Sequence, residues 1–408
     1  MSKVVKIGDI ASLKTGPFGT QFSAKEYTSE GIPVINVKNI GYGQILENEL
    51  DYIHESTRDR LSEHILKTGD IVFGRKGSVD RHAYISENYN GWVQGSDCIR
   101  IRFQEDVNTR YISHYLKLDY VKKQINHASI GSTMASLNTD ILKNIKIILP
   151  ELSVQNSIET VLSSLESKVD VNSQICSELE TMAKTLYDYW FVQFDFPDEN
   201  GKPYRTYGSE MVWNEQIKRG IPKGWKLGKL CDIANITMGQ SPAGESYNDA
   251  GDGLIFYQGR TDFGLRFPTP RMYTTAPTRF AQKGDILLSV RAPVGDLNFA
   301  MEDCCIGRGL AALNSKLGSQ MHLFYTLAGF QQIFKVMDGN GTTFGSITKD
   351  TLFDMSVVIP PDEILKCFEK RVKPIESKIE KCEEEIRELT KLRDWLLPML
   401  MNGQARVE

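Results

Sequence analysis

No stretch of this chain is apolar for long enough to cross a bilayer, and its opening residues, MSKVVKIGD, do not read as a secretion signal. A cytoplasmic protein is the expectation. The seven cysteines are scattered and contain no C-x-x-C, and the six histidines are equally dispersed. That argues against a disulfide framework and against a zinc site, so no metal is expected. There is no G-x-x-x-x-G-K-S/T phosphate loop, which excludes a nucleotide-driven motor. There is also no N/D-P-P-Y/F/W tetrapeptide and no glycine-rich cofactor loop after a strand, the marks of an amino-methyltransferase. One nuclease-like set remains, Asp362 after Pro361 and then Glu376 and Lys378. Those residues lie along a long helical pattern beside Ile375, so a solvated helix face explains them better than converging metal ligands.

The net charge of −4 is low for a nucleic-acid binder, but it is unevenly shared. Residues 1–150 carry +2, residues 151–200 carry −8, residues 201–360 carry +3 and residues 361–408 carry −1. Two mildly basic regions thus alternate with an acidic one. This balance permits nucleic-acid binding and suggests that a partner supplies part of the phosphate neutralisation.

What the chain does have is a helix written twice. Apolar residues recur in alternating steps of four and three at Ile158, Leu162, Leu165, Val169, Asn172, Cys176, Leu179, Ala183, Leu186 and Trp190. The same seam, 210 positions later, is Phe368, Val372, Ile375, Ile379, Cys382, Ile386, Leu389, Arg393, Leu396 and Leu400. This is coiled-coil spacing, and about 40 residues at roughly 1.5 Å each make a helix of about 60 Å. The regions before the helices repeat too. KIGDI (6–10) matches KLGKL (226–230), TGDIVFGRKGSV (68–79) matches KGDILLSVRAPV (283–294), and GSTMASLNTDILKNIKIILP (131–150) matches GTTFGSITKDTLFDMSVVIP (341–360).

The pattern predicts an α+β protein with an internal pseudo-twofold repeat. Its parts are a globular domain at 1–150, a spacer helix at 151–192, a connection at 193–224, a second domain at 225–360 and a second helix at 361–408. Short strands are expected at Ile32–Val37, Ile71–Phe73, Cys98–Phe103 and Ile145–Leu149. A helix is expected at Thr109–His127, with Tyr111, Tyr115, Leu118, Val121 and Ile125 facing the core. If the two long helices are each other's partners, connectivity makes them antiparallel, with one globule at each end. Such an object suits duplex DNA, which presents the same face every ~34–36 Å. Because the loops of the two domains differ, the two half-sites are expected to be unlike.

The duplicated order, together with GPFGTQFSAKEYTSEGIPVINVKNI (16–40), IPKGWKLGKL (221–230), GQSPAGESYND (239–249), CCIGRGLAAL (304–313) and the helix exit YDYWFVQFDFP (187–197), resembles the specificity subunit of type I restriction–modification systems, over the whole chain. The resemblance implies two target-recognition domains on an antiparallel coiled coil. It implies a non-catalytic DNA-reading chain that docks two methyltransferase subunits and, through them, motor/nuclease subunits. S-adenosylmethionine is then expected in the methyltransferase partners and no cofactor in this chain. The complex would modify adenine and cleave unmodified DNA.

Base reading needs donors and acceptors that reach base edges, and loops on a fixed scaffold supply them. In the first domain the candidates are Lys14, Thr15, Gly16, Phe18, Gly19, Thr20 and Gln21, the glycines allowing close approach to phosphate. Lys38 and Asn39 follow, then Arg75, Lys76, Ser78 and Arg81, then Ser132 and Thr133. In the second domain they are Gln240 and Ser241, then Gln258, Arg260, Asp262, Phe263 and Arg266, with Arg291, Arg308, Thr342 and Thr343. Phe18 and Phe263 suit the core as well as stacking, and Asp262 suits a turn as well as a cytosine amino group. Tyr187, Tyr189, Phe191, Trp395 and Met399 are candidate partner anchors, or else pack on the chain's own domains. Two rival readings are a self-sufficient DNA-modifying or DNA-cutting enzyme and a structural adapter that binds protein through its two globules.

Overall fold

The computed structural model describes residues 3–104, 106–129, 136–331, 333–334 and 346–407. It forms two compact units, Met1–Val171 with Glu385–Glu408, and Asn172–Glu384. The first long helix runs Leu152–Tyr187 and ends in a single π turn, Asp188–Val192. The second runs Asp362–Met401 and stops where Gly403 enters the left-handed region at φ 71°. Each unit therefore holds half of each long helix.

Every residue of both seams is buried or half-buried. In the first unit Ile158 and Leu162 share a core with Leu400 and Met401, with Leu396 packed against it. In the second, Ala183 and Tyr187 share a core with Phe368 and Val372. There the Cys176 thiol lies 3.9 Å from the carbonyl of Ile379, and the Tyr187 ring lies 6.2 Å from Phe368. Eleven residues forward on one helix are eleven residues back on the other, so the pair is antiparallel. Seams at heptad spacing put the apolar groups of both helices on the shared face.

The globular part of each unit repeats one plan. Lys3–Lys6 pairs antiparallel with Lys146–Leu149, and Lys226–Lys229 pairs likewise with Ser356–Ile359. These two-stranded ribbons bring the start of each repeat to the residues that lead into its long helix. A larger sheet follows in the order Ala11–Thr15, Cys98–Phe103, Ile71–Gly74, His82–Tyr84, Tyr42–Gly43; its counterpart is Ala234–Met238, Leu310–Ser315, Ile286–Ser289, Leu297–Phe299. A second sheet in each unit contains one parallel pair, Val34–Ile35 to Val93–Gln94 or Phe256–Tyr257 to Cys305–Ile306.

Two local expectations change. Thr109–His127 is not one helix but two, Thr109–Leu116 and Asp119–Ser129, broken at Lys117, whose ammonium turns to Glu166 at 2.6 Å. Its apolar residues Tyr111, Tyr115, Leu118, Val121 and Ile125 are all buried, as the spacing implies. The segment 193–224 is no free connection. It forms a hairpin, Met211–Asn214 with Arg219–Pro222, and buries Phe194, Phe196 and Ile221 in the second unit's core beside Trp225. Proline, glycine and charge mark its turns, but the aromatics between them seek the core.

Long helix and globule are stitched together by polar contacts. Buried Gln155 donates to the carbonyl of Pro150 at 2.8 Å and accepts from the amide of Asn108 at 3.0 Å. Glu159 and Glu166 face Arg110, His114 and Lys117 of their own unit. Part of the −8 counted over residues 151–200 is thus spent internally.

Candidate nucleic-acid interface

The strand Ile71–Gly74 ends in the loop of Arg75 and Lys76, and Ile286–Ser289 ends in that of Val290 and Arg291. Both loops are fastened in the same way. Leu137 donates its amide to the Arg75 carbonyl at 2.8 Å, and Ile347 donates to that of Val290 at 2.9 Å. Lys76 bridges to Ser136 and Arg291 to Ser346. On the other side the Arg75 amide donates to Asp97 at 2.8 Å and that of Val290 to Gly309 at 2.9 Å. Lys76 and Arg291 are therefore structural equivalents, and so are Ser96 and Arg308. Lys76 is 60 % exposed and only 3.4 Å from Asp97. Arg291 and Arg308 are exposed and meet no carboxylate among the described residues.

In the second unit these cations border a cleft of about 1370 Å³, which also gathers Gln258, Arg260, Phe263 and Leu265. Gln258 is exposed, and Arg260 pairs with Asp296 while remaining half exposed. Gln240 is exposed at the nearby chain turn, and the Ser241 hydroxyl accepts from the Arg308 amide at 3.3 Å. In the first unit the guanidinium of Arg75 lies 4.8 Å above the exposed Phe18 ring, and that of Arg81 lies 5.3 Å above Tyr42. Stacking of this kind spends the face of the cation, and the Nε of each of the two arginines is buried without a hydrogen-bond partner among the described residues. Ser78 and Gln21 are exposed, and Gly19 has a positive φ of 59° on the open loop between them and Phe18.

Several expected contacts have partners inside the fold, and the buried Arg266 and Asn39 are spent there. Arg266 is buried, with its guanidinium between Glu180 and Glu376, the latter at 2.6 Å, and 4.0 Å above the Phe324 ring. Burial works against its charge, but Glu376 and Glu180 outweigh burial and its pKa is raised. It cannot touch a phosphate without losing both carboxylates. Asn39 is fully buried, taking the Asn36 amide and donating to the carbonyls of Leu46 and Asn48. Asp262 is the turn residue of its alternative, accepting from the Gln258 amide at 3.1 Å and from Arg271 at 2.6 Å. Gly16 is small for an internal reason: a Cβ there would stand 2.0 Å from the Gly95 carbonyl oxygen, and at its equivalent Gly239 one would stand 2.2 Å from that of Gly307. Thr15 is part of the strand paired with Ile99, Lys14 is engaged by Glu63, and Lys38 lies 3.1 Å from Asp51. Phe263 packs partly against the core of the second sheet. Tyr187 and Phe191 are buried around Phe368 and His322, whereas Tyr189 and Trp395 are exposed and Met399 is half-buried. Ser132, Thr133, Thr342, Thr343 and the side chain of Thr20 lie outside the described residues.

Sequence reasoning did not find Tyr42, Lys122, Arg271 or Leu265. The signal for two of them was the register of GYGQ (41–44) on GLRF (264–267), too short to notice without the turns they make.

A family model described as the type I restriction modification DNA specificity domain matches residues 2–181 and again 222–391. This chain belongs to the family of type I restriction–modification specificity subunits. It is 30% identical over 388 residues, 93% of this chain and 88% of the relative, to the specificity subunit of type I restriction enzyme MjaX from Methanocaldococcus jannaschii. It is 25% identical over 427 residues to the MjaIX specificity subunit of the same organism, covering 100% of this chain and 94% of the relative. The crystal structure of a type I restriction–modification S subunit from M. genitalium shares the fold at a TM-score of 0.61 and 15% identity, over 98% of this chain and 96% of that one. As a specificity subunit, this chain determines DNA target recognition and is the non-catalytic member of its complex.

Proposed function

We propose that the chain reads an asymmetric DNA target in two parts, one part with each unit, while docking methyltransferase subunits that bind S-adenosylmethionine. The observation that carries this reading is the matched pair of loops. One scaffold, fastened by equivalent backbone hydrogen bonds, offers Arg75, Lys76 and Ser96 in the first unit, and Val290, Arg291 and Arg308 in the second. Equal frames with unequal side chains read unequal sequences, because the frame sets where a side chain meets the duplex and the side chain sets which base it accepts. Lys76, Arg291 and Arg308 supply phosphate or guanine contacts, Gln240 and Gln258 supply adenine-type contacts, and Arg75 and Arg81 offer their guanidinium groups. Among partner anchors, the exposed Trp395 and Tyr189 remain.

The test is a genome-wide map of modified adenines with and without the gene. A single motif with two unlike halves around a fixed unread gap should disappear with it. A palindromic motif would refute unlike reading by the two units, and an unchanged map would refute a role in modification.

A further inference from the structure

The two units hold one turn in common that the loops above do not include. In the first, the Gly41 amide donates to the Gln44 carbonyl at 3.0 Å and the Leu46 amide to that of Asn39 at 2.9 Å. In the second, Gly264 donates to Phe267 at 3.2 Å and Thr269 to Asp262 at 2.8 Å. The register places Tyr42 on Leu265 and Gly43 on Arg266. Both tip residues are large, apolar and turned to solvent: Tyr42 is 47% exposed and Leu265 is 69% exposed.

That exposure is imposed by a rigid frame. In the second unit Arg266, next to the tip, is held by Glu376 and Glu180, and Asn298 brackets Gly264 by taking its amide at 3.1 Å and donating to its carbonyl at 3.2 Å. In the first unit the same anchor is built from the opposite side. Gly43 has no side chain, with φ at 87°, and a Cβ there would stand 2.3 Å from Lys117 Cε. Lys117 crosses that space to reach Glu166 at 2.6 Å, and Glu166 precedes Glu376 by the 210-residue repeat. Each turn thus lies against a cation that pairs with a long-helix glutamate, Arg266 of the turn itself in one unit and Lys117 of the neighbouring helix in the other. Cations also surround each tip. Arg81 and Lys122 lie 5.3 and 5.0 Å from the Tyr42 ring, and Leu265 shares its cleft with Arg260, Arg291 and Arg308.

A rigidly presented apolar tip ringed by cations matches a duplex, whose charged backbone surrounds apolar base faces and thymine methyl groups. We propose that Tyr42 and Leu265 are specificity-determining residues, one per unit, each pressing its side chain onto bases of its own half-site. This rests on the two-part DNA reading above. Neither side chain belongs to a hydrophobic core among the described residues: Leu265 is mostly exposed, and the Tyr42 ring lies against Arg81 and Lys122.

The experiment selects a duplex library with a randomised tract on the full-length chain, comparing wild type, Tyr42→Ala, Leu265→Ala and, as an exposed apolar control in the strand Met211–Asn214, Trp213→Ala. Wild type and the control should select one two-part motif. Each tip variant should lose preference at one or two neighbouring base pairs, the two variants in opposite halves. Discrimination there should fall roughly 5- to 100-fold, with unchanged melting and unchanged salt dependence of binding. Should the wild type select no two-part motif, the two-part reading fails and the tip proposal with it. Should the wild type select a motif that both tip variants select equally well, only the tip proposal is overturned. A uniform loss across the motif, matched on non-specific duplex, overturns it too, because a general affinity contact is not a base contact.

Discussion

At the scale of the residue, burial sorts the cations into those open to solvent and those spent inside the fold. Arg291 is open and unpaired among the described residues, whereas Arg266 is enclosed by two carboxylates and three aromatic rings. Arg291→Ala should lower the salt slope of duplex binding by about one and leave stability unchanged. Arg266→Met should leave the slope alone and cost about 3–5 kcal/mol in urea unfolding, because Glu376 would be left buried without its partner. A slope that falls with Arg266→Met would return that residue to the DNA contacts. Histidine gives a second residue-scale prediction. His322 is enclosed near Tyr187 and Phe191, and burial pushes its pKa down to about 3. The folded state refuses a proton that the unfolded chain accepts below its ordinary value of 6.5. Its contribution is therefore complete above about pH 6.5 and is lost as the pH falls toward 3. His322→Leu should flatten the decline in melting temperature between pH 6.5 and 4.5, and an unchanged profile would argue against this origin. Sequence alone could not separate Arg266 from Arg291, since both are arginines in polar loops. What separates them is which carboxylates the fold delivers, and that depends on Glu180 and Glu376, far away in the chain.

At the scale of the element, the long helices were the most legible part. A heptad seam is a local pattern with one geometric solution, and all its positions are shielded. The loops were legible only as places, because a turn's function lies in a few hydrogen bonds that composition does not encode. Gly16 reads equally well as a phosphate cradle and as a backbone crossing, and only the Gly95 carbonyl decides between them. The second helix also carries Pro374 at an exposed position within its unbroken run. Proline removes one ladder hydrogen bond and crowds the preceding turn. Pro374→Ala should stabilise the protein by up to about 3 kcal/mol in urea unfolding. A loss of stability would mean that the helix depends on a bend at that point.

At the scale of the whole molecule, the helices are the part shared by both units and the surface on which partners are proposed to dock. Trp395, 59% exposed, should be dispensable for folding, so Trp395→Ala should reduce co-purification of methyltransferase subunits while leaving the melting temperature intact. Equal recovery of the complex would remove it from the docking surface. Inserting one heptad in both helices should lengthen the unread gap of the target, and an insertion in one helix alone should damage pairing. The ownership of residues by the two units has a consequence for synthesis. The second unit is one uninterrupted stretch, Asn172–Glu384, but the first closes its core only with Leu400 and Met401. On the ribosome the unit begun first is therefore finished last, and its apolar face waits through translation of the other. On the two-part reading proposed above, a premature stop just beyond residue 384 should cost the chain the half-site of its N-terminal unit and leave the later-made unit whole.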